Sequence, residues 1–254
     1  MPPTTRGTRT RFLVTDWKAT LEIFRHIFFV AALAGLISGV FVTVAHEIGT
    51  VPIILKAENY EKAAEQAAVP SANAMPGMSH DDEANAWEPA DGLERMAFTV
   101  LADVLTGIGF AVLLVSAYAL RGDDVDWHEG LYWGLAGFAT FTLAPGLGLP
   151  PQVPGTEAAP LVDRQIWWVT TAVATGGGLA VLFFTRRAVW AVAGVVLLVL
   201  PHILGAPQPA EFKSVAPALV AHQFIVATVV TSLLFWIALG SLTGFFYKQF
   251  RPSS

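Results

Sequence analysis

The sequence predicts an all-α fold: a polytopic membrane helical bundle with about six transmembrane helices and both termini cytoplasmic. Three observations carry that expectation. First, 54% of the 254 residues are hydrophobic and only 14% are charged, against roughly 25% charged in a typical soluble domain; mean hydropathy is +0.55. Second, the apolar residues gather in runs near the length of about 20 residues that a membrane-crossing helix needs. Third, lysine and arginine divide unevenly between the two sides that those runs define.

The first run is 27–45 (IFFVAALAGLISGVFVTVA), too long and too poorly ended at Ala45 for a cleaved signal peptide. The second is 96–120, the third 131–149, the fourth 166–184, the fifth 189–203 and the sixth 219–247. The fifth is short for a span. Residues 1–20 form a cytoplasmic N-terminal arm, disordered over 1–10, and 21–254 form the membrane domain. The longest polar stretch, 50–94, reads as an extracytoplasmic acidic loop. Its ENYEKAAEQAA pattern predicts a short helix over 58–68.

Arg6, Arg9, Arg11, Lys18 and Arg25 precede the first run, and alternating crossings put Arg121, Arg186, Arg187, Lys248 and Arg251 on the same side. Lys56, Lys62, Arg95, Arg164 and Lys213 fall on the other. Ten cations against five place both termini in the cytoplasm. Small residues repeat at helical spacing in Ala31, Gly35 and Gly39, and again in Gly240 and Gly244, which predicts close helix contact in plain bundle packing. Trp167, Trp168, Trp190 and Trp236 read as interfacial anchors.

Several function classes are excluded or weakened. A net charge of −5 argues against nucleic acid as a partner; the partner implied throughout is the lipid bilayer. The chain has no cysteine, so disulfides and thiolate metal sites are impossible. No GxxxxGK[ST], HExxH or GxSxG sequence occurs, so the chain reads as no P-loop ATPase and not as an enzyme.

Ionisable groups in or beside the apolar runs cost several kcal/mol each unless they pair, bind an ion or face water. There are five, and the topology puts all of them in the outer half. His46 and Glu47 emerge at the outer end of the first run. Asp103 lies about 10 Å below the outer start of the second, at about 1.5 Å per residue. His202 ends the fifth run, directly after Pro201, and His222 sits about one turn into the sixth. Imidazole with carboxylate suits Co²⁺, Ni²⁺ or Zn²⁺ better than Mg²⁺ or Ca²⁺. These five are the candidate metal site, although a wet helix end accounts equally well for His46–Glu47, and an interhelical hydrogen bond for either lone histidine. His80 joins them from the loop, where Met75, Met78, Asp81, Asp82 and Glu83 surround it as candidate metal-capture groups. Pro145, Pro150 and Pro151 are expected to break the third helix, which lipid tolerates only where the freed carbonyls face a cavity or protein.

The runs VPIILKAENYE, WEPADGLERMAFTVLADVLTGIGFAVLL, LYWGLAGFATFTLAPGLGLPPQVPGTEAA, RQIWWVTTAVATGGGLA and LPHILGAPQP resemble the CbtA family, described as a predicted cobalt transporter subunit of bacterial inner membranes. The resemblance spans the first run to the sixth. It implies Co²⁺ uptake serving cobalamin synthesis and a small one-helix CbtB-type partner subunit. Members often carry a more histidine-rich first loop than this one. No cofactor is expected, since the metal is cargo. A second expectation fits the same residues: a non-transporting accessory or scaffold subunit. A third is a carrier of Ni²⁺, Zn²⁺ or a small solute. A homo-oligomer is compatible with the sequence.

Overall fold

A computed structural model describes residues 8–68, 89–122 and 124–251. The chain is helical, with no named β-strand among the described residues. Its elements are α1 (Thr8–Gly49), α2 (Val51–Ala68), α3 (Leu93–Arg121), α4 (Trp127–Phe138), a π-helical turn (Ala139–Leu143), α5 (Ala144–Gly148), α6 (Leu161–Phe184), α7 (Ala188–Leu204) and α8 (Ala218–Gln249). Among the described residues, four stretches are long and apolar enough to cross a membrane: Thr20–Gly49, Leu93–Arg121, Leu161–Phe184 and Ala218–Gln249. The expected fifth span is the shorter apolar helix Ala188–Leu204. The expected third is the consecutive series α4, π-turn and α5. Large apolar side chains such as Leu105, Leu113, Val173, Phe183, Val192 and Val196 stand exposed on these helices, as lipid-facing residues do in a solvent as apolar as they are.

The structure departs from the expected loops at both ends of the first span. Helix α1 begins at Thr8, inside the stretch expected to be disordered. Helix α2 starts at Val51 rather than near Glu58, because Pro52 falls in its first turn, where a missing N–H costs no hydrogen bond. Met75, Met78, His80, Asp81, Asp82 and Glu83 lie outside the described residues.

The chain divides into two compact units. Unit 1 comprises Met1–Val40, Ala102–Gly134 and Trp236–Ser254. Its helices meet at glycine. A Cβ on Gly39 of α1 would lie 2.5 Å from the Val104 Cα of α3, and one on Gly107 would lie 2.6 Å from the Gly35 carbonyl oxygen. A Cβ on Gly240 of α8 would lie 2.7 Å from the Gly134 Cα of α4, and one on Gly244 would lie 2.9 Å from the Gly130 Cα. The small-residue stripes are therefore helix contacts, as expected, with Gly130 and Gly134 as the unforeseen partners of the second. Around them pack Val30, Ala31, Val115, Tyr118 and Leu239, all fully buried. The Tyr118 hydroxyl bonds to the Thr243 hydroxyl at 3.1 Å. Trp236 is not an interfacial anchor: it is 2% exposed, with its ring 4.8 Å from that of Phe110.

At one end of unit 1, Asp126 caps α4. Its Oδ1 accepts the N–H groups of His128 at 3.0 Å and Glu129 at 3.2 Å, while Glu129 Oε2 accepts the Asp126 N–H at 3.3 Å. This reciprocal pair is a capping box. The Glu129 N–H first, then the His128 N–H and Lys248, hold the Asp126 carboxyl below the usual carboxylate range. A depressed native pKa means that the carboxylate stabilises the fold above its unfolded value of about 3.9 and that this contribution fades as pH falls through the native value. Asp126→Ala is expected to lower the melting temperature of detergent-solubilised protein at pH 7. Asp126→Asn should keep most of the cap and lose the acid dependence. Identical pH–melting curves for Asp126→Asn and wild type would overturn the role assigned to the charge.

Unit 2 comprises Phe41–Leu101 and Leu135–Phe235. Helices α6 and α7 form a tight antiparallel pair around Gly178 and Gly194, where a Cβ on Gly178 would lie 2.8 Å from the Gly194 carbonyl oxygen. The segment after α5 and the segment before α8 meet in a single antiparallel bridge between Thr156 and Ser214. Glu157 N–H donates to Lys213 O at 2.9 Å and Val215 N–H to Gly155 O at 3.2 Å. Beneath them, Ala57, Val153, Ala216 and Val220 form a buried cluster. Arg95 binds Glu58 through two hydrogen bonds, of 2.7 and 3.4 Å, joining α3 to α2.

Candidate functional site

Proline shapes the polar part of unit 2. Pro145 does not end the third helix, contrary to expectation; it is buried inside a continuous helical path. Proline has no N–H to give the carbonyl four residues earlier, and its ring crowds that carbonyl. The backbone widens into the π-turn just before it, and Ala144 N–H bonds to Ala139 O, five residues back. The helix stops only at Gly148, before Pro150 and Pro151. Pro201 likewise lies buried inside α7.

His202 follows Pro201 in the last turn of α7. Its partly buried ring stands edge-on to the Trp167 indole of α6, with centroids 5.9 Å apart. Trp167 Nε1–H donates to the Pro201 carbonyl at 3.3 Å, and Gly205 N–H reaches the same oxygen at 3.1 Å. The far edge of the indole lies over Gly148, whose Cβ would fall 2.6 Å from Trp167 Cζ2. Trp167 thus ties the end of α5 to the end of α7 and fixes one side of the His202 ring. The sequence pattern, which marks it as an anchor at the membrane interface, gives no sign of this.

The other expected groups are distributed as follows. His46 and Glu47 are partly buried near the end of α1, and the His46 carbonyl accepts both the N–H and the hydroxyl of Thr50, at 2.9 and 3.2 Å. His222 is exposed in the second turn of α8, where Val220 and Phe224 pack on the buried cluster. Asp103 is partly buried on α3, in unit 1. Among the described residues no three His, Asp or Glu side chains gather as a metal-holding group. The five groups are carried by α1, α3, α7 and α8.

Unit 2 also contains a cleft of about 810 Å³ between the 148–161 segment, the start of α6 and the 207–212 segment. Trp168, Arg164, Gln165, Gln208, Pro150 and Phe212 are among its walls. No sequence motif announces it, because its walls come from segments far apart in the chain, 148–161 and 207–212.

Compared with known proteins, the chain matches the family model described as probable cobalt transporter subunit (CbtA) over residues 24–248. No curated protein and no solved structure matches it.

Proposed function

This chain belongs to the CbtA family, and from that premise we propose that it is the membrane subunit through which Co²⁺ enters a bacterial cell across the inner membrane, from the periplasmic side, to serve cobalamin synthesis. The family is one of transporter subunits rather than enzymes. The match over residues 24–248 is the observation that carries the reading. Six crossings, with both termini cytoplasmic and the 50–94 segment outside, agree with the ten-to-five division of cations.

In this reading His46, Glu47, His222 and His202 are outer binding stations, with Asp103 the carboxylate that balances the ion's charge within the span. His80, with Met75 and Met78, adds a collecting group in the acidic first loop. Ligands spread over four helices suit transport, which needs binding weak enough to release the ion at each step. Moving two charges inward across 100 mV is favourable by roughly 4.6 kcal/mol, so membrane potential suffices as a driving force. A CbtB-type partner subunit would deliver ions to the outer stations.

The test is ⁵⁷Co²⁺ uptake into vesicles containing the wild type or Asp103→Ala. Wild-type uptake well above empty vesicles, reduced at least about tenfold by the substitution, is expected, in line with the cost of stranding a divalent charge in lipid. Equal uptake by both proteins removes Asp103 from the path. Uptake no greater than that of empty vesicles, with the partner subunit present, favours a scaffold.

A further inference from the structure

The cleft of unit 2 lies beside the start of α6, a helix long and apolar enough to cross a membrane. Leu161, Arg164, Gln165, Trp168 and Val169 of that helix form one wall. They cover about 12 Å at about 1.5 Å per residue, so the cleft follows α6 from its first turn into its third. Its volume of about 810 Å³ falls within the roughly 300–1,000 Å³ typical of sites for organic ligands.

The charge of the lining is one-sided. It contains no acidic side chain, and Arg164 is its ionisable residue. Elsewhere Arg95, Lys213, Lys248 and Arg251 each meet a carboxylate. Arg164 is partly buried, its Nε is shut off from solvent without a hydrogen-bond partner, and no acid pairs with its guanidinium among the described residues. Shielding a cation in this way costs free energy that anionic oxygens of a ligand would offset. Gln152, Gln165 and Gln208 add amides to the walls, while Trp168, Phe212 and several prolines make the rest apolar. A metal cation would meet the like charge of Arg164 with no lining carboxylate to balance it.

The cleft also has an apolar exit. Val169 belongs to its wall and is 53% exposed, and Val173, about one turn further, is 71% exposed. Val162 and Ile166 are exposed as well, and at about 100° per residue these four side chains fall within about 60° of one another. A polar pocket holding a cation thus adjoins a lipid-facing stripe on one helix. Arg164 sits about 4.5 Å from the start of that helix, at the level where headgroups meet hydrocarbon.

We propose that this cleft binds one anionic phospholipid, with the phosphate on the Arg164 guanidinium, the headgroup hydroxyls among the glutamine amides, and an acyl chain along Val169 and Val173. Basic pockets among membrane helices hold anionic lipid headgroups by the same chemistry. Nothing in the lining meets the ammonium of a zwitterionic lipid, so phosphatidylglycerol is favoured over phosphatidylethanolamine. The site is independent of the transport reading.

The test is native mass spectrometry of the delipidated full-length protein, titrated with each lipid in detergent micelles. Wild type is expected to take one phosphatidylglycerol, about tenfold or more ahead of phosphatidylethanolamine. Arg164→Gln should weaken phosphatidylglycerol about tenfold or more, as loss of a charge-assisted pair predicts. Lys56→Gln removes an exposed cation outside the cleft wall and should stay within about twofold of wild type. Equal affinity of wild type and Arg164→Gln would overturn the site. So would an equal loss in Lys56→Gln, which would reveal a general attraction to surface charge. Phosphatidylethanolamine bound as tightly as phosphatidylglycerol by wild type would overturn it without recourse to any variant. Glycerol 3-phosphate distinguishes a lipid from a free phosphate ester: it should not displace phosphatidylglycerol at equal concentration, and displacement there would make the ligand a soluble ester rather than a lipid.

Discussion

Replacing Gly240 by leucine is expected to destabilise unit 1 by about 3 kcal/mol, at the upper end of what overpacking a fitted interface costs. The reason is backbone against backbone. A single methyl at Gly240 would already stand 2.7 Å from the Gly134 Cα, and no rotamer change can move a neighbouring main chain. Helices α4 and α8 must separate, which forfeits the close van der Waals packing that drives helix association in lipid. Separation would also strain the 3.1 Å bond between Tyr118 and Thr243, because Thr243 lies three residues further along the same helix. Gly109→Leu is the matched control: a glycine of α3, also in unit 1, with nothing within 4 Å of its built Cβ. Thermal unfolding of the detergent-solubilised proteins, followed by circular dichroism, should show Gly240→Leu melting well below wild type and Gly109→Leu close to it. Equal melting temperatures for the two variants would remove the interface from the account of stability.

That glycine contact was half legible in the sequence. Gly240 and Gly244 announce a small-residue stripe by their spacing, but nothing in a helix's own pattern names its partner. Gly130 and Gly134 have the same four-residue spacing, but beside Trp133 and the apolar run it does not stand out as a stripe. The same division runs through the rest of the chain. Apolar length locates the spans, since lipid enforces it locally. The sequence pattern shows only the polar second half of α2, because the periodic signal lies in ENYEKAAEQAA and the apolar VPIILK carries none of it. By its residue type Pro145 marks a break, yet in the fold it sits behind a π-turn in a continuous helical path. Whether a helix stops or widens at a proline depends on what packs around the freed carbonyl, and that is tertiary information.

The candidate site follows this pattern. The composition shows that His202 and Asp103 are costly in lipid, and Pro201 marks a turn of α7 that runs without one backbone hydrogen bond. It does not show that Trp167 binds the Pro201 carbonyl. That bond depends on which faces of α6 and α7 meet, and that contact is set by Gly178 and Gly194. The Asp126–Glu129 capping box, by contrast, was plainly written as DWHE and could have been found by its spacing alone.

If His202 is the entry ligand proposed above, His202→Ala is expected to raise the external Co²⁺ concentration needed for half-maximal uptake about tenfold or more, because its imidazole is replaced by a group that cannot bind the ion. Maximal uptake should change less, since the Trp167–Pro201 bond and the fold of α7 survive the substitution. Trp167→Phe separates positioning from binding. It keeps an aromatic ring beside His202 and loses only the hydrogen bond from Nε1 to the Pro201 carbonyl, worth about 1 kcal/mol. Its half-saturation should shift only a fewfold, about what that energy allows. Trp167→Ala removes the ring as well, so His202 loses the surface that fixes its orientation, and its half-saturation should approach that of His202→Ala. Combining Trp167→Ala with His202→Ala should then add little, because both act through one imidazole. Full additivity in that cycle would mean that the indole serves the path independently of the histidine. A His202→Ala protein with wild-type half-saturation would place the entering ion elsewhere on the outer face of the bundle.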